Sequence, residues 1–144
     1  MQPEISYIFF KESLDEQELI AIISNLNGFI CILNPDALTS EIQILAAYDH
    51  VYRDNEVRRR VRDGSLRLMI HLTGERQIKN ARKEIGFRNG LERCVVVYED
   101  ASVFQKFLSG LRNAVVSDKP FIPRDNPELD RSVFPRMAMS DFLS

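Results

Sequence analysis

The chain has 144 residues, of which 44% are hydrophobic, and its formal net charge is −2. This length and composition fit one domain with its own core. They exclude a transmembrane helix, because no apolar run reaches the roughly 20 residues that cross a bilayer. Glu4 interrupts the first apolar stretch, which argues against a secretory signal. We therefore expect a single cytoplasmic domain over residues 1–144, with no membrane partner and with a nuclear pool in a eukaryote.

Charge is distributed unevenly along the chain. Residues 1–40 hold six acidic residues and one basic residue, whereas residues 41–93 hold twelve basic and eight acidic residues. The middle third is therefore the part that would attract an anionic partner. Because the total charge is slightly acidic, we expect any affinity for RNA to be weak or shared with other chains.

Apolar spacing predicts alternating strands and helices. Strands are predicted at residues 5–10, 29–33, 66–72 and 93–98. Helical stripes are predicted at residues 19–26, 42–52, 78–85 and 104–111. Simple alternation of this kind suggests a sheet with helices packed against it and parallel strand pairing.

Three predicted helices have recognisable starting residues. Ser13 with Glu16 fits a capping box before the first helix. Ser40 with Gln43 starts the second helix, and Asp100 can cap the fourth.

The run Thr73-Gly74-Glu75-Arg76-Gln77-Ile78 joins the predicted third strand to the third helix. A strand that opens at once into a helix leaves unpaired backbone N–H groups, which favour an anion. The simpler interpretation is that Gly74 is only an N-cap and Gln77 completes a capping box.

The third predicted helix carries two stripes. Its apolar stripe is formed by Ile78, Ala81 and Ile85. The opposite, basic stripe consists of Arg76, Lys79, Arg82 and Lys83. These cations either keep a solvated face charged or contact phosphate groups. Arg67 or His71, on the outward side of the predicted third strand, would lie nearby.

A second basic cluster is Arg58-Arg59-Arg60, which Arg62 follows. Successive helical residues are about 100° apart, so three consecutive arginines cannot share one helical face. The cluster is either a solvated helix end, with cations near the negative pole of the dipole, or a contact with phosphate.

No motif points to catalysis or to a metal. Cys31 and Cys94 lie in apolar strands, so we expect reduced core cysteines; a disulfide between neighbouring strands is the less favoured alternative. His50 and His71 lack metal-ligand spacing, and no nucleophile elbow, phosphate loop or dinucleotide fingerprint occurs. We expect no cofactor, and an enzyme is the least favoured class.

The last part of the chain changes character. Pro120, Pro123 and Pro127 predict an extended, exposed loop. Pro135 is predicted in the first turn of a separate short helix. The apolar residues of this helical tail are Met137, Ala138, Met139, Phe142 and Leu143. They either dock onto their own domain or form a surface for another protein.

Three segments carry recognisable patterns in a fixed order: an apolar strand ending in Asn34-Pro35-Asp36-Ala37-Leu38, the run from Thr73 to Gly86, and the closing Arg136-Met137-Ala138-Met139-Ser140-Asp141-Phe142. Together they resemble the kinase-binding subunit of the KEOPS complex, called the PRPK-binding protein in eukaryotes. The resemblance implies an α/β (α+β) fold, a single small domain with a mixed, largely antiparallel four-stranded sheet and a helical C-terminal tail. On strand direction we follow the resemblance.

The resemblance also implies a non-catalytic function. The family member binds the small atypical kinase/ATPase of KEOPS, and through it the transferase subunit and the dimerising subunit. It also binds tRNA, notably the CCA end, and so supports threonylcarbamoyl modification of an adenosine. The alternative function is a regulatory domain that holds an anionic metabolite at the predicted helix N-terminus of Thr73-Gly74.

The implied sites fall in two places. The RNA-binding residues would be Arg76, Lys79, Arg82, Lys83, Gly74, Gln77 and Arg67. The kinase-binding residues would be the five apolar tail residues, which follow an extended loop within residues 119–144. The sequence departs from the family pattern at Pro135 and in the arginine cluster, so the resemblance assigns no role to either.

Overall fold

The computed structural model describes residues 2–53 and 63–143, with side chains up to Met137. Four strands are described: β1 Glu4–Phe10, β2 Ile30–Leu33, β3 Arg93–Tyr98 and β4 Ala114–Val116. They form one sheet in the order β2-β3-β1-β4, and all three pairings between them are antiparallel. The four-stranded, largely antiparallel sheet implied by the resemblance is confirmed, but none of the described pairings is parallel, so the sheet is not mixed and the parallel pairing suggested by simple alternation is wrong.

Six α-helices lie in the described part of the chain: α1 Glu16–Ser24, α2 Glu41–Arg53, α3 Gly64–Thr73, α4 Ile78–Ile85, α5 Ala101–Gly110 and α6 Pro127–Leu143. A short 3-10 turn, Pro35–Ala37, follows β2. Residues of α2, α3, α4 and α6 form a core with one face of the sheet. Residues of α1 and α5 form a second core with the other face. The molecule is therefore a three-layer α/β domain.

Alternation along the strands supplies both cores. In β1, Tyr7 belongs to the first core, whereas Ile8 and Phe10 belong to the second. Cys31 and Cys94 are divided in the same way between the two faces, so they cannot form a disulfide with each other in this fold. Both thiols are free and buried, and burial raises the pKa of each.

The prediction of a strand at residues 66–72 is wrong, because this segment forms most of α3. The Asp63 carboxylate caps the helix by accepting hydrogen bonds from the N–H groups of Ser65 at 2.8 Å and Leu66 at 3.4 Å. Residues 68–73 are all buried, since α3 packs against α2, α4 and β2. A helix covered on most sides shows no single apolar stripe, so spacing alone does not separate it from a buried strand.

Gly74 ends α3 instead of starting the next helix. It adopts the left-handed conformation, with φ 71°, and its N–H donates to the Ile70 carbonyl at 2.8 Å. Helix α4 begins only at Ile78, after the N-cap residue Gln77, whose side chain makes no capping hydrogen bond. The predicted capping box and the predicted anion site at Thr73-Gly74 are therefore both wrong.

The other helix starts follow the sequence more closely. Asp15, instead of Ser13, caps α1 by accepting from the Glu18 N–H at 2.7 Å. The Ser40 hydroxyl accepts from the Gln43 N–H at 3.1 Å at the start of α2. Asp100 caps α5, as predicted.

The loop between β4 and α6 is less exposed than predicted. Ile122 is buried in the first core. The carbonyls of Pro123 and Arg124 accept hydrogen bonds from the first N–H groups of α2, those of Glu41 and Ile42. The loop therefore satisfies a helix end that would otherwise have no partner in its own helix.

Pro135 lies inside α6, so the prediction of a separate short helix is wrong. Proline removes one hydrogen bond to the preceding turn. Pro135 itself is exposed. The cluster Arg58-Arg59-Arg60 and Arg62 lies outside the described residues.

Candidate functional site

The turn at Gly74 is in direct contact with the backbone of α6. A Cβ atom added to Gly74 would lie 2.3 Å from the Arg136 carbonyl oxygen. The positive φ of Gly74 is a second reason why this position favours glycine. Two segments that resemble the same family, and that are some 60 residues apart in the chain, therefore meet in space.

The beginning of the tail pattern is anchored to its own domain. The Arg136 guanidinium pairs with Glu84 of α4 at 3.0 Å. Met137 is 1% exposed and belongs to the first core, so it offers no surface to a partner. The side chains of Ala138, Met139, Phe142 and Leu143 are outside the described part of the structure.

Helix α4 carries the amphipathic pattern predicted for it. Ala81 and Ile85 are buried, whereas the basic stripe, Arg76, Lys79, Arg82 and Lys83, is exposed. Arg82 pairs with Glu16 at the start of α1 at 3.1 Å. Within the described residues, no carboxylate forms an ion pair with the other three cations. We call these four residues the basic face.

The other residues considered for RNA binding lie in different surroundings. Gln77 is exposed at the start of α4, beside Arg76. Arg67, by contrast, lines a cleft near the N-terminal end of α3. His71 is fully buried and stacks on His50, with ring centroids 5.8 Å apart. The expectation that Arg67 and His71 lie on the outward side of a strand is wrong, because the segment is helical and His71 is buried.

A buried carboxylate ties α6 to the start of α2, and the sequence did not reveal it. Asp130 is 4% exposed. It accepts hydrogen bonds from the Thr39 and Ser40 hydroxyls, the latter at 2.8 and 3.0 Å, and from the Asn126 N–H at 3.0 Å. Burial alone would raise the pKa of Asp130, but the donated hydrogen bonds outweigh burial and lower it.

A second polar cluster lies where α2 meets the end of β3. The hydroxyls of Tyr48 and Tyr52 both donate to the same oxygen, Oε2, of Glu99. Burial, followed by the hydrogen bond to Glu99, raises the pKa of Tyr48, so its hydroxyl remains a donor. The i, i+4 spacing of the two tyrosines predicts a shared helix face, but nothing in the sequence connects them with Glu99.

The described residues contain no group of histidine, cysteine or carboxylate side chains that could hold a metal ion. None of the described helices is both long enough and apolar enough to cross a membrane. Asp49 pairs with Arg53 at 2.6 Å, and Asp100 caps α5. Neither protein-family models nor curated proteins provide a match to this chain.

Proposed function

We propose that this protein is a non-catalytic accessory subunit of the KEOPS complex. In this function it binds the small atypical kinase/ATPase and helps to recruit tRNA for threonylcarbamoyl modification. The observation that carries the proposal is the contact between Gly74 and the Arg136 backbone. If the two resembling segments lay on distant surfaces, they could not contribute to one site. Here the Gly74 turn and the start of the tail segment are in contact.

The arrangement of α6 is consistent with a partner surface at its C-terminal end. Asp130 and Met137 anchor the helix at two points, which fixes its direction relative to α3 and α4. The part of the tail left for the kinase therefore begins after Met137. This narrows the partner-binding residues of the proposal to Ala138, Met139, Phe142 and Leu143.

The basic face provides the chemistry that the RNA part of the proposal requires. Non-specific attraction to nucleic acid comes from cations that replace the counterions of phosphate groups. Lys79 and Lys83 are exposed on α4, and Arg76 is exposed just before it. Three or four cations support weak binding, in agreement with recruitment shared among several subunits.

An anionic metabolite at Thr73-Gly74 is not retained as an alternative. The Thr73 hydroxyl is occupied by the Met69 carbonyl at 2.9 Å and by the Glu75 N–H at 3.2 Å. Gly74 has the α6 backbone against it. The site that this alternative needed is therefore filled by the protein itself.

Removal of residues 138–144 should weaken the complex with the kinase at least tenfold. Because Met137 and the Asp130 network remain, the thermal unfolding midpoint should stay within about 2 °C of the intact chain. Binding is measured by isothermal titration calorimetry with the purified kinase. Unchanged affinity would show that the tail is not the kinase-binding element.

Neutralising the basic face with Arg76→Gln and Lys79→Gln should weaken tRNA binding. If both side chains contact phosphates of a single-stranded end, the slope of log K against log salt should fall by about 1.4, at roughly 0.7 per contact. The matched control is Lys106→Gln with Lys119→Gln, two exposed lysines away from α4. Equal losses of tRNA affinity in the two double variants would contradict a localised RNA site. An unchanged affinity for tRNA that lacks the CCA end would contradict it as well.

A further inference from the structure

A cleft of about 490 Å³ opens between α2, α3 and the end of β3. This volume lies within the range of small-molecule sites in proteins. Its aromatic walls are Phe29, Tyr48 and Tyr52. The Phe29 and Tyr48 rings are 5.6 Å apart at 69°, and those of Tyr48 and Tyr52 are 4.9 Å apart at 70°. Both ring pairs are in edge-to-face contact, so the three rings form one aromatic cluster in the lining of the cleft.

Gly64 allows Phe29 to occupy its place in this wall. A Cβ atom at Gly64 would lie 2.8 Å from a Phe29 ring carbon. The cleft therefore depends on a close approach between α3 and the residue that precedes β2.

The charged groups among the described lining residues sum to a slightly negative charge. Glu99 and Asp63 contribute two carboxylates and Arg67 one guanidinium, a formal charge of −1. Asp63 is occupied as the cap of α3. Glu99 receives two tyrosine hydroxyls on Oε2, and in the described part of the chain no lysine or arginine pairs with it and no donor bonds to Oε1.

We propose that this cleft binds a small organic cation of the tertiary or quaternary ammonium class, with its charge beside Glu99 and its alkyl groups against Phe29 and Tyr52. Aromatic rings attract such cations through the negative potential of their faces, and a nearby carboxylate strengthens the attraction. A metabolite anion would be repelled by Glu99 and Asp63 and attracted only by Arg67 among the described lining residues. The inference is independent of the proposed KEOPS function.

The test compares choline with 3,3-dimethylbutan-1-ol, its neutral isostere, by NMR titration of the full ¹⁵N-labelled chain. Choline should shift the amides of Phe29 and Glu99 in a saturable manner, and the isostere should bind at least tenfold more weakly. Equal binding of the two, or no saturable shift with choline, would overturn the proposal. A trimethyllysine peptide that binds more tightly than choline would also overturn it, in favour of a protein partner.

Two variants separate a charge effect from a loss of structure. Glu99→Gln removes the charge and keeps an acceptor oxygen for the tyrosines, and we expect at least tenfold weaker choline binding. Glu128→Gln, an exposed carboxylate on α6, is the matched control and should bind as the wild type does. If Glu99→Gln fails to fold, Tyr52→Leu carries the test, because Tyr52 is 46% exposed. It should weaken choline binding about fivefold, and unchanged binding in the folded variant would contradict the site.

Discussion

Asp130→Asn should lower the free energy of unfolding by about 3 kcal/mol at pH 7, because both carboxylate oxygens of Asp130 accept hydrogen bonds and asparagine offers only one acceptor. The amide NH₂ group would face either the Ser40 hydroxyl or the Asn126 N–H, and the buried donors would lose an acceptor. The thermal unfolding midpoint should fall by roughly 10 °C. Urea denaturation followed by circular dichroism measures the change.

The matched control is Asp125→Asn, an exposed carboxylate in the preceding loop. It should change stability by less than about 0.5 kcal/mol. Similar losses in the two variants would mean that the hydrogen bonds of Asp130 contribute little.

The effect of Asp130→Asn also has a defined pH dependence. Burial alone would raise the pKa of Asp130, but the hydrogen bonds that it accepts lower the pKa overall in the folded protein. A lowered pKa contributes stability that is present above the unfolded-state value of about 3.9 and lost as the pH falls through the folded-state value. The difference between wild type and variant should therefore shrink below about pH 4. A difference that stays constant from pH 7 to pH 3 would contradict the role of the ionised carboxylate.

Gly74→Ala should destabilise the protein by about 2–3 kcal/mol and loosen α6. Two costs combine: the left-handed backbone costs a non-glycine residue about 1 kcal/mol, and the new methyl group would overlap the Arg136 carbonyl. Chemical denaturation gives the first effect. Faster proteolysis within α6 gives the second.

Gly90→Ala isolates the backbone cost from the contact cost. Gly90 also has positive φ, 84°, but a Cβ atom there would meet nothing within 4 Å. This control should lose only about 1 kcal/mol and leave proteolysis of α6 unchanged. If Gly74→Ala lowered the free energy of unfolding no more than Gly90→Ala does, the close approach of α6 to Gly74 would contribute nothing to stability.

If the proposed function holds, Gly74→Ala should affect kinase binding as well as stability. The variant displaces the element on which the partner-binding residues are carried, without changing any of them. The loss of kinase affinity should then accompany the gain in proteolysis, whereas Gly90→Ala should bind as the wild type does. If Gly74→Ala loosened α6 but kept full kinase affinity, the contact between Gly74 and α6 would have no role in kinase binding.

The sequence predicts a helix or strand well where one of its faces is buried and the other is exposed to solvent. Helices α4 and α5 are of this kind, the latter with Phe104 and Phe107 in the core. Helix α3 was missed because its apolar residues point in all directions. Strand β4 was missed because it has only three residues and two exposed valines, so it has no periodic signal of its own.

The sites were harder to predict because their members are far apart in the chain. Asp130 meets Ser40 across 90 residues, and Tyr48 meets Glu99 across 51. Local patterns do not encode such pairs; only the fold brings them together. The basic face of α4 could be predicted, because all four cations lie on one short amphipathic segment.

The position of β1 has a consequence for how the polypeptide reaches its native state. This first strand lies in the interior of the sheet, and its only described strand partners begin at Arg93 and Ala114. Among the described residues, its first sheet partner is synthesised about 80 residues after β1 itself. Apolar residues such as Ile8 must therefore remain without their native cover during synthesis, and closure of the sheet must wait until late in translation.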